Sequence, residues 1–308
     1  MAAIDVPFLD LGAGYRELKG ELDQAYGSVM SSGSYLLGRQ LESFESEFAD
    51  YVATAHCAGV GSGLDALSLA LRAVGVGVGD EVIVPAHTFV ATWLAVSSVG
   101  AIPVPVEPDQ STFNIDPSAI SEALTERTKA IVPVHLYGRP ADMDEILEVA
   151  LRNGLKVVED AAQAHGARYR GARVGALGDA AAWSFYPGKN LEAFADAGAV
   201  TTNSADVDNR VRMFRNYGSR VKYRHQVYGV NSRMDELQAA FLRVKLRWLD
   251  IWNERRRVVA HRYCAGLSGM AELALPDMSA DAEPSWHLYV VRTPYRDALQ
   301  QVLLKRGV

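Results

Sequence analysis

A chain of 308 residues, 49% of them hydrophobic, can bury one large core and a smaller appended lobe. Its formal net charge of −6 argues against a general nucleic-acid or membrane-surface binder, so any anionic ligand must be met by a local basic cluster. The two cysteines, Cys57 and Cys264, lie far apart without a CxxC or histidine-rich neighbourhood; this excludes a disulfide framework and a zinc site and fits a reducing, cytoplasmic setting.

In chain order, Asp5 and Asp10 stand where a signal peptide needs a basic start and an unbroken apolar stretch. Helical patterns cover Tyr15 to Ser31 and Leu41 to Val52. CAGVGSG then reads as a strand ending in a glycine-rich turn, and LDALSLALRAV as a helix with Leu64, Leu67 and Leu71 on one face. The apolar segment from Val82 to Val106 is broken by Pro85, His87, Pro103 and Pro105, against a membrane span. It divides into the strand EVIVP, the helix TFVATWLAVSSVG and the strand AIPVPV. The helix PSAISEAL, the strand AIVPVHL, the helix ADMDEILEVALRN and the strand KVVED follow. Short apolar runs separated by amphipathic helices predict a parallel, doubly wound sheet covered on both faces. Beyond Val200 come a helix DVDNRVRMFRN, a polar stretch SRVKYRHQVYG, one long helix from about Met234 to Tyr263, a strand SWHLYVVRT and a helix RDALQQVLLKRG. No internal repeat or low-complexity linker divides the chain.

Three features bear on chemistry. VVEDAAQAHGA ends a buried strand with Glu159 and Asp160, at the carboxyl edge where open α/β sheets bind ligands; Asp160 as a cap of the next turn is the alternative. GVGSGLD lacks the third glycine of a dinucleotide fingerprint and any Walker GK[ST]. What remains at Gly61 to Leu64 is a helix N-terminus with free N–H groups, suited to one phosphate, or a plain tight turn. SFYPGKNL places Lys189 between Gly188 and Asn190 after a run of small and aromatic residues. A phosphate anchor, a strand-end carboxylate and an amine are together the parts that pyridoxal phosphate needs. Phe89, in PAHTFVAT, is a candidate ring-stacking partner, with a core phenylalanine as the alternative.

The runs GSGLDAL, VPAHTFVATWLAV, VPVHLYGRPADM, VVEDAAQAHGA, SFYPGKNL, GAVTTN, RNYGS and GVNSRMDELQAA occur in the order seen in the DegT/DnrJ/EryC1/StrS family of pyridoxal-phosphate-dependent nucleotide-sugar aminotransferases, and the resemblance spans nearly the whole chain. It implies an aspartate-aminotransferase-like fold of type I. In that fold a large domain with a mainly parallel sheet is joined to a smaller C-terminal α/β lobe, and a homodimer has its sites at the subunit interface. We set the division at residues 1–250 and 251–308. By the same resemblance Lys189 bonds covalently to the cofactor, Asp160 pairs with its ring nitrogen and Gln163 lies near its ring hydroxyl. Gly63, Leu64 and Ser184 would hold the phosphate, Asn231 would reach it from the neighbouring subunit, and Phe89 would stack on the ring.

The region from Lys222 to Arg257 looks most like the branch that takes the amino group of L-glutamate to C3 of a dTDP-3-keto-6-deoxyhexose; a 4-keto sugar is the alternative. Arg220, Lys222, Tyr223 and Arg224 form a local cluster for a nucleotide diphosphate, or else a solvated loop. His287 is a candidate substrate contact, or else a packed structural histidine.

Two departures from the family pattern stand out. Glu192, Ala195 and Ala197 occupy positions where the family has glycine, which predicts strain if those positions need a positive φ. Family members also carry a further loop, helix and strand after LLKRGV, so the small lobe reads as incomplete. The readings in other classes are a dehydratase, against which Lys189 speaks, a non-catalytic regulatory relative, and a nicotinamide oxidoreductase, whose fingerprint is missing.

Overall fold

The computed structural model describes residues 6–308; Asp5 lies outside them. Two helices open the chain, α1 (Gly12–Ser32) and α2 (Arg39–Val52). In α2, Leu41, Phe44, Phe48 and Val52 recur at helical spacing and are buried, and Ala53 stops the helix in a left-handed turn. Strands and helices then alternate: β1 (His56–Val60), α3 (Gly63–Ala73), β2 (Glu81–Pro85), α4 (Ala91–Ser98), β3 (Ile102–Val106), α5 (Pro117–Ile120), β4 (Thr128–Ile131), α6 (Met143–Asn153) and β5 (Lys156–Asp160). After them come β6 (Arg168–Tyr169), β7 (Ala172–Arg173), β8 (Ala180–Ser184), β9 (Gly198–Thr202), α7 (Ala205–Phe214) and the hairpin of β10 (Ser219–Val221) and β11 (Arg224–His225). The chain closes with α8 (Glu236–Leu246), α9 (Leu249–Leu267), β12 (Ala282–Glu283) and α10 (Arg296–Lys305).

Seven strands make one sheet in the order β1-β9-β8-β5-β4-β2-β3. The pairs among β2, β3, β4, β5 and β8 are parallel, as their apolar runs predict. β9 departs from that expectation, running antiparallel to both β8 and β1. Two reversals leave β1 pointing the same way as β8. The loops after β1, β2, β5 and β8 therefore open at one edge, where such sheets bind ligands.

Side chains alternate across the sheet with the strand's period of two. Ala180 and Ala182 join Val60, Val158 and the buried faces of α3, α4 and α7. Ala181 and Trp183 join Phe44, Phe48 and Phe185 against α2 and α8. The same alternation divides the two acids that end β5. Glu159 faces the α6 side with Val157, and Asp160 faces the α3 and α4 side with Val158. Glu159 is fully buried and accepts from the N–H groups of Gly175, Leu177 and Gly178 at 2.7, 2.9 and 2.8 Å. It also accepts from His135 Nε2 at 3.0 Å, whose proton is fixed there because His135 Nδ1 accepts the Ala141 N–H at 3.0 Å. Glu159 is thus a structural anchor, and Asp160 alone is turned toward the ligand edge.

Three sequence expectations are corrected. The long helix from Met234 is two helices, broken by a turn at Arg247 and Trp248, while Leu242, Leu246, Leu249 and Asn253 keep a helical spacing along one buried side. The strand expected over AIVPVHL ends at Ile131, since Pro133 has no N–H to offer, and only Val134 bridges to Asp160. The strand expected over SWHLYVVRT does not form. Its alternating pattern is real, but Trp286 adopts φ 51° and the N–H groups of Ser285 and Leu288 bond to Gly138 and Tyr137 instead of to a strand.

Replacing Glu159 with leucine strands four buried donors. We expect Glu159→Leu to lower the unfolding free energy by about 3 kcal/mol or more in a denaturant titration. A loss under about 1 kcal/mol would show that those donors find other partners.

Candidate active site

Four loops on the carboxyl edge bring the sequence candidates together. After β1, Ser62 caps α3 by accepting the Asp65 N–H at 3.1 Å, which leaves the N–H groups of Gly63 and Leu64 free at the helix N-terminus. The Ser184 side chain, at the end of β8, adjoins them. A Cβ built on Gly63 would lie 2.5 Å from Ser184 Cβ, so only glycine admits this approach. Ser232, next to the exposed Asn231, accepts the Gly61 N–H at 2.9 Å and donates to Asp65 at 2.7 Å, which brings the Asn231 segment against the same turn.

After β5, the buried Asp160 accepts from Thr92 Oγ1 at 2.8 Å and from the Ala162 N–H at 3.2 Å. Asp160 braces the turn with one oxygen, as the capping reading expects, and takes a side-chain donor with the other. Burial raises its pKa above the ordinary carboxylate value, while Thr92, the Ala162 N–H and the charge of Lys189 pull the other way. Gln163 is oriented by the Tyr137 N–H, which donates to its Oε1 at 2.7 Å, leaving its amide nitrogen free. After β2, Phe89 is 68% exposed, which rules out the core reading.

After β8 comes Lys189. Burial lowers the pKa of its amine, and the charge of Asp160 partly restores it. The loop is held from α8 by a wholly buried lysine. Lys245 Nζ donates to the Glu192 carbonyl at 3.0 Å and lies 3.9 Å over the Phe194 ring. The Glu192 carboxylate in turn accepts the Gly188 N–H at 2.8 Å. Glu192, Ala195 and Ala197 all have ordinary negative-φ backbones, so the strain expected from their replacing glycine is not there. Glu192 instead gives the buried ammonium its counter-charge.

Sequence reasoning missed Thr92, Tyr137, Asn190 and Asn253. HTFVAT holds Thr88 and Thr92 one helical turn apart, bonded at 2.9 Å in the structure, without saying which of them meets Asp160. His287 does come to Lys189, through Asn190, whose Oδ1 lies 3.2 Å from His287 Nδ1. Arg220, Lys222, Tyr223 and Arg224 lie on the exposed β10–β11 hairpin, and among the described residues nothing pairs their charges. Tyr223, at φ 66°, forms its tip.

A helix N-terminus closed by a serine, a buried carboxylate and a desolvated amine, the kinds of group that pyridoxal 5′-phosphate needs, lie on loops at one edge of the sheet. The fold and this site define an aminotransferase that depends on pyridoxal 5′-phosphate. The model of the DegT/DnrJ/EryC1/StrS aminotransferase family matches residues 16–308, and the chain belongs to that family. It is 57% identical over 303 residues to dTDP-3-amino-3,4,6-trideoxy-alpha-D-glucose transaminase of Streptomyces venezuelae, a match covering 98% of this chain and 80% of that one. It is also 57% identical over 305 residues to the erythromycin biosynthesis sensory transduction protein EryC1 of Saccharopolyspora erythraea, covering 99% and 83%. The crystal structure of S. venezuelae DesV in complex with ketimine intermediate superposes with a TM-score of 0.97 at 57% identity, covering 98% of this chain and 82% of that one.

Two histidines beside Lys189 are held neutral. His165 is buried between Trp183 and Phe185 with neither ring nitrogen bonded, the Ser184 backbone lying beside it out of bonding geometry. Burial, then the charge of Lys189, drives its pKa well below the ordinary value. His287 is lowered to about 3 by burial, then by Lys189 and Arg256. In the unfolded chain both protonate near pH 6.5. The unfolded state therefore binds more protons below that pH, and stability falls as pH drops from about 6.5, by about 1.4 kcal/mol per pH unit for each histidine. We expect His165→Phe to remove one proton's worth of that slope in denaturant titrations between about pH 6.5 and 4.5. An unchanged slope would mean that His165 titrates in the folded state as it does unfolded.

Proposed function

We propose that this aminotransferase carries the amino group of L-glutamate to the C3 keto group of a dTDP-linked 3-keto-6-deoxyhexose, in aminodeoxysugar biosynthesis. The observation that carries the reading is that the loops bearing Lys189 and Asp160 open at one edge of the sheet, beside the α3 N-terminus. Support for the sugar comes from the Streptomyces venezuelae relative, whose name specifies a dTDP-3-amino sugar. A second relative with the same name, from Micromonospora megalomicea, is 45% identical over 289 residues.

Pyridoxal 5′-phosphate, when bound, supplies a carbonyl for the amino group and an electron sink for the carbon that loses its proton. The chain's own groups do the rest. The N–H groups of Gly63 and Leu64 and the Ser184 hydroxyl hold the phosphate, the free amide nitrogen of Gln163 meets the ring hydroxyl, and Phe89 covers one ring face. Asp160 keeps a proton on the ring nitrogen, because a carboxylate braced by Thr92 and the Ala162 N–H is a fixed negative charge in a dry place. Lys189 Nζ anchors the cofactor and, once free, takes the proton from the donor's α-carbon; its burial favours the neutral amine that can do so.

The remaining assignments extend this reading. The chain works as a homodimer, with Asn231 offered to the phosphate of a second copy and the hairpin of Arg220, Lys222, Tyr223 and Arg224 offered to the nucleotide diphosphate. Residues 1–250 hold the cofactor and 251–308 form the smaller lobe, in a cytoplasmic protein. Among the described residues no helix is long and apolar enough to cross a membrane.

Protein loaded with pyridoxal phosphate should lose its visible cofactor absorption when L-glutamate is added, and Lys189→Ala should show neither the band nor the change. Mass spectrometry after incubation with 3-keto and 4-keto dTDP-hexoses then identifies the sugar, and amination of the 4-keto compound alone would overturn the C3 assignment. Alanine at Arg220, Lys222 and Arg224 should raise KM for the nucleotide sugar about tenfold or more and leave the glutamate half-reaction intact. Equal loss of both half-reactions would remove the hairpin from the substrate site.

A further inference from the structure

We infer that His287 is a positioning residue for Lys189, acting through a hydrogen bond of fixed polarity to Asn190; the inference rests on reading Lys189 as the catalytic amine. The polarity follows from three side-chain bonds. Asn190 Nδ2 donates to the Ser285 carbonyl at 2.7 Å and to Asn253 Oδ1 at 2.9 Å. Asn253 Nδ2 donates to the His165 carbonyl at 2.8 Å. A backbone carbonyl only accepts, so each amide has one possible orientation. Asn190 Oδ1 therefore faces His287, and the proton shared across that 3.2 Å contact belongs to His287 Nδ1.

The backbone is bent to deliver this imidazole. Trp286 sits at φ 51°, a left-handed conformation that costs a bulky residue on the order of 1–3 kcal/mol. Four bonds offset that cost. The N–H of Ser285 donates to the Gly138 carbonyl at 2.9 Å and that of Leu288 to the Tyr137 carbonyl at 3.3 Å. Arg256, from α9, donates to the carbonyls of Trp286 and His287 at 3.3 and 3.4 Å. Gly138 lies so close that a Cβ there would come within 2.6 Å of Ser285 Oγ and 2.9 Å of the His287 nitrogen. Strain that neighbouring bonds overdetermine in this way marks a constraint on where one side chain points.

What His287 constrains is the residue next to Lys189. Asn190 is 4% exposed, and its three side-chain bonds fix the plane of its amide between the C-terminal segment and α9. Lys189 shares a peptide unit with it and is held on the other side by its own N–H, which donates to Tyr186 at 3.0 Å. Releasing Asn190 frees one end of the lysine's backbone. A misplacement of about 1 Å at a reacting amine can cost about a hundredfold in rate. Burial, then Lys189 and Arg256 beside it, lowers the imidazole's pKa, which keeps it neutral and so preserves the Nδ1–H donor and its direction.

The test compares His287→Asn, His287→Gln and His287→Ala with Asn190→Ala, the double variant and Lys189→Ala, all loaded with pyridoxal phosphate and checked by thermal unfolding. Asparagine places an N–H near the imidazole Nδ1, and glutamine places one near Nε2. Two quantities are read: kcat and KM for L-glutamate, and the pH midpoint of the bound cofactor's visible absorption, which reports the surroundings of Lys189. We expect His287→Ala and His287→Gln to lose about tenfold to a hundredfold in kcat with KM little changed, and to share a displaced midpoint. His287→Asn should recover most of both losses, and the double variant should be no worse than Asn190→Ala alone. Rescue by glutamine and not asparagine would overturn the inference in favour of Nε2 touching the substrate. Unchanged midpoints and rates throughout would reduce His287 to packing. If Lys189→Ala kept the visible band, the reading of Lys189 itself would fall. If that band is lost and asparagine does not rescue, only the role of His287 falls.

Discussion

Asp160 is a carboxylate taken out of water at the end of a central strand, and the elements around it are arranged to keep it there. Its position on β5 turns it away from the anchored Glu159 and toward α4, where Thr92 reaches one oxygen. Its Coulomb partner within the chain is Lys189, one strand over on the loop that leaves β8. Desolvation disfavours the charged form of each group, and the charge of the other favours it. The parallel pairing of β5 with β8 opens the loops that follow both strands at one edge, and the α3 N-terminus presents free N–H groups there.

The parts of this arrangement that depend on residue type at a strand end could be read directly. Lys189, Asp160, Gln163, Ser184 and the Gly63 turn were placed by pattern and by resemblance, and the structure gathers them at one edge. Other parts arise from adjacency that no local pattern encodes. Thr92 is separated from Asp160 by 68 residues, and nothing in TFVATW says which threonine will face an acid. The direction of β9 was hidden because GAVTTN is as apolar and β-rich as its parallel neighbours. SWHLYVVRT misled for a sharper reason. Its alternation describes which side chains are buried, and a left-handed residue within it sends the backbone bonds to a turn.

The buried lysine of α8 shows how one substitution is absorbed. Lys245 has its ammonium over an aromatic ring and on a carbonyl, both of which suit a cation without neutralising it. A carboxylate at position 192 adds the neutralising charge and spends its second oxygen on the Gly188 N–H. The glutamate thus couples the charge of a core helix to the loop carrying Lys189, where glycine would offer the Gly188 amide no carboxylate.

The antiparallel return of β9 gives that loop its character. Trp183 pairs with Ala199 and Ser184 with Gly198, and the Phe185 N–H then bonds to the Ala197 carbonyl, so the segment between is a wide hairpin closed at its base. A closed hairpin can change its interior without altering the register of the strands that bear it, and lengthening it carries only a slowly growing entropic cost. The lysine rides on a segment whose ends are fixed by the sheet and whose interior is fixed by the contacts of Asn190 and Glu192. Glu192, Ala195 and Ala197 sit in it without a positive φ, so its path asks for no glycine at those three positions.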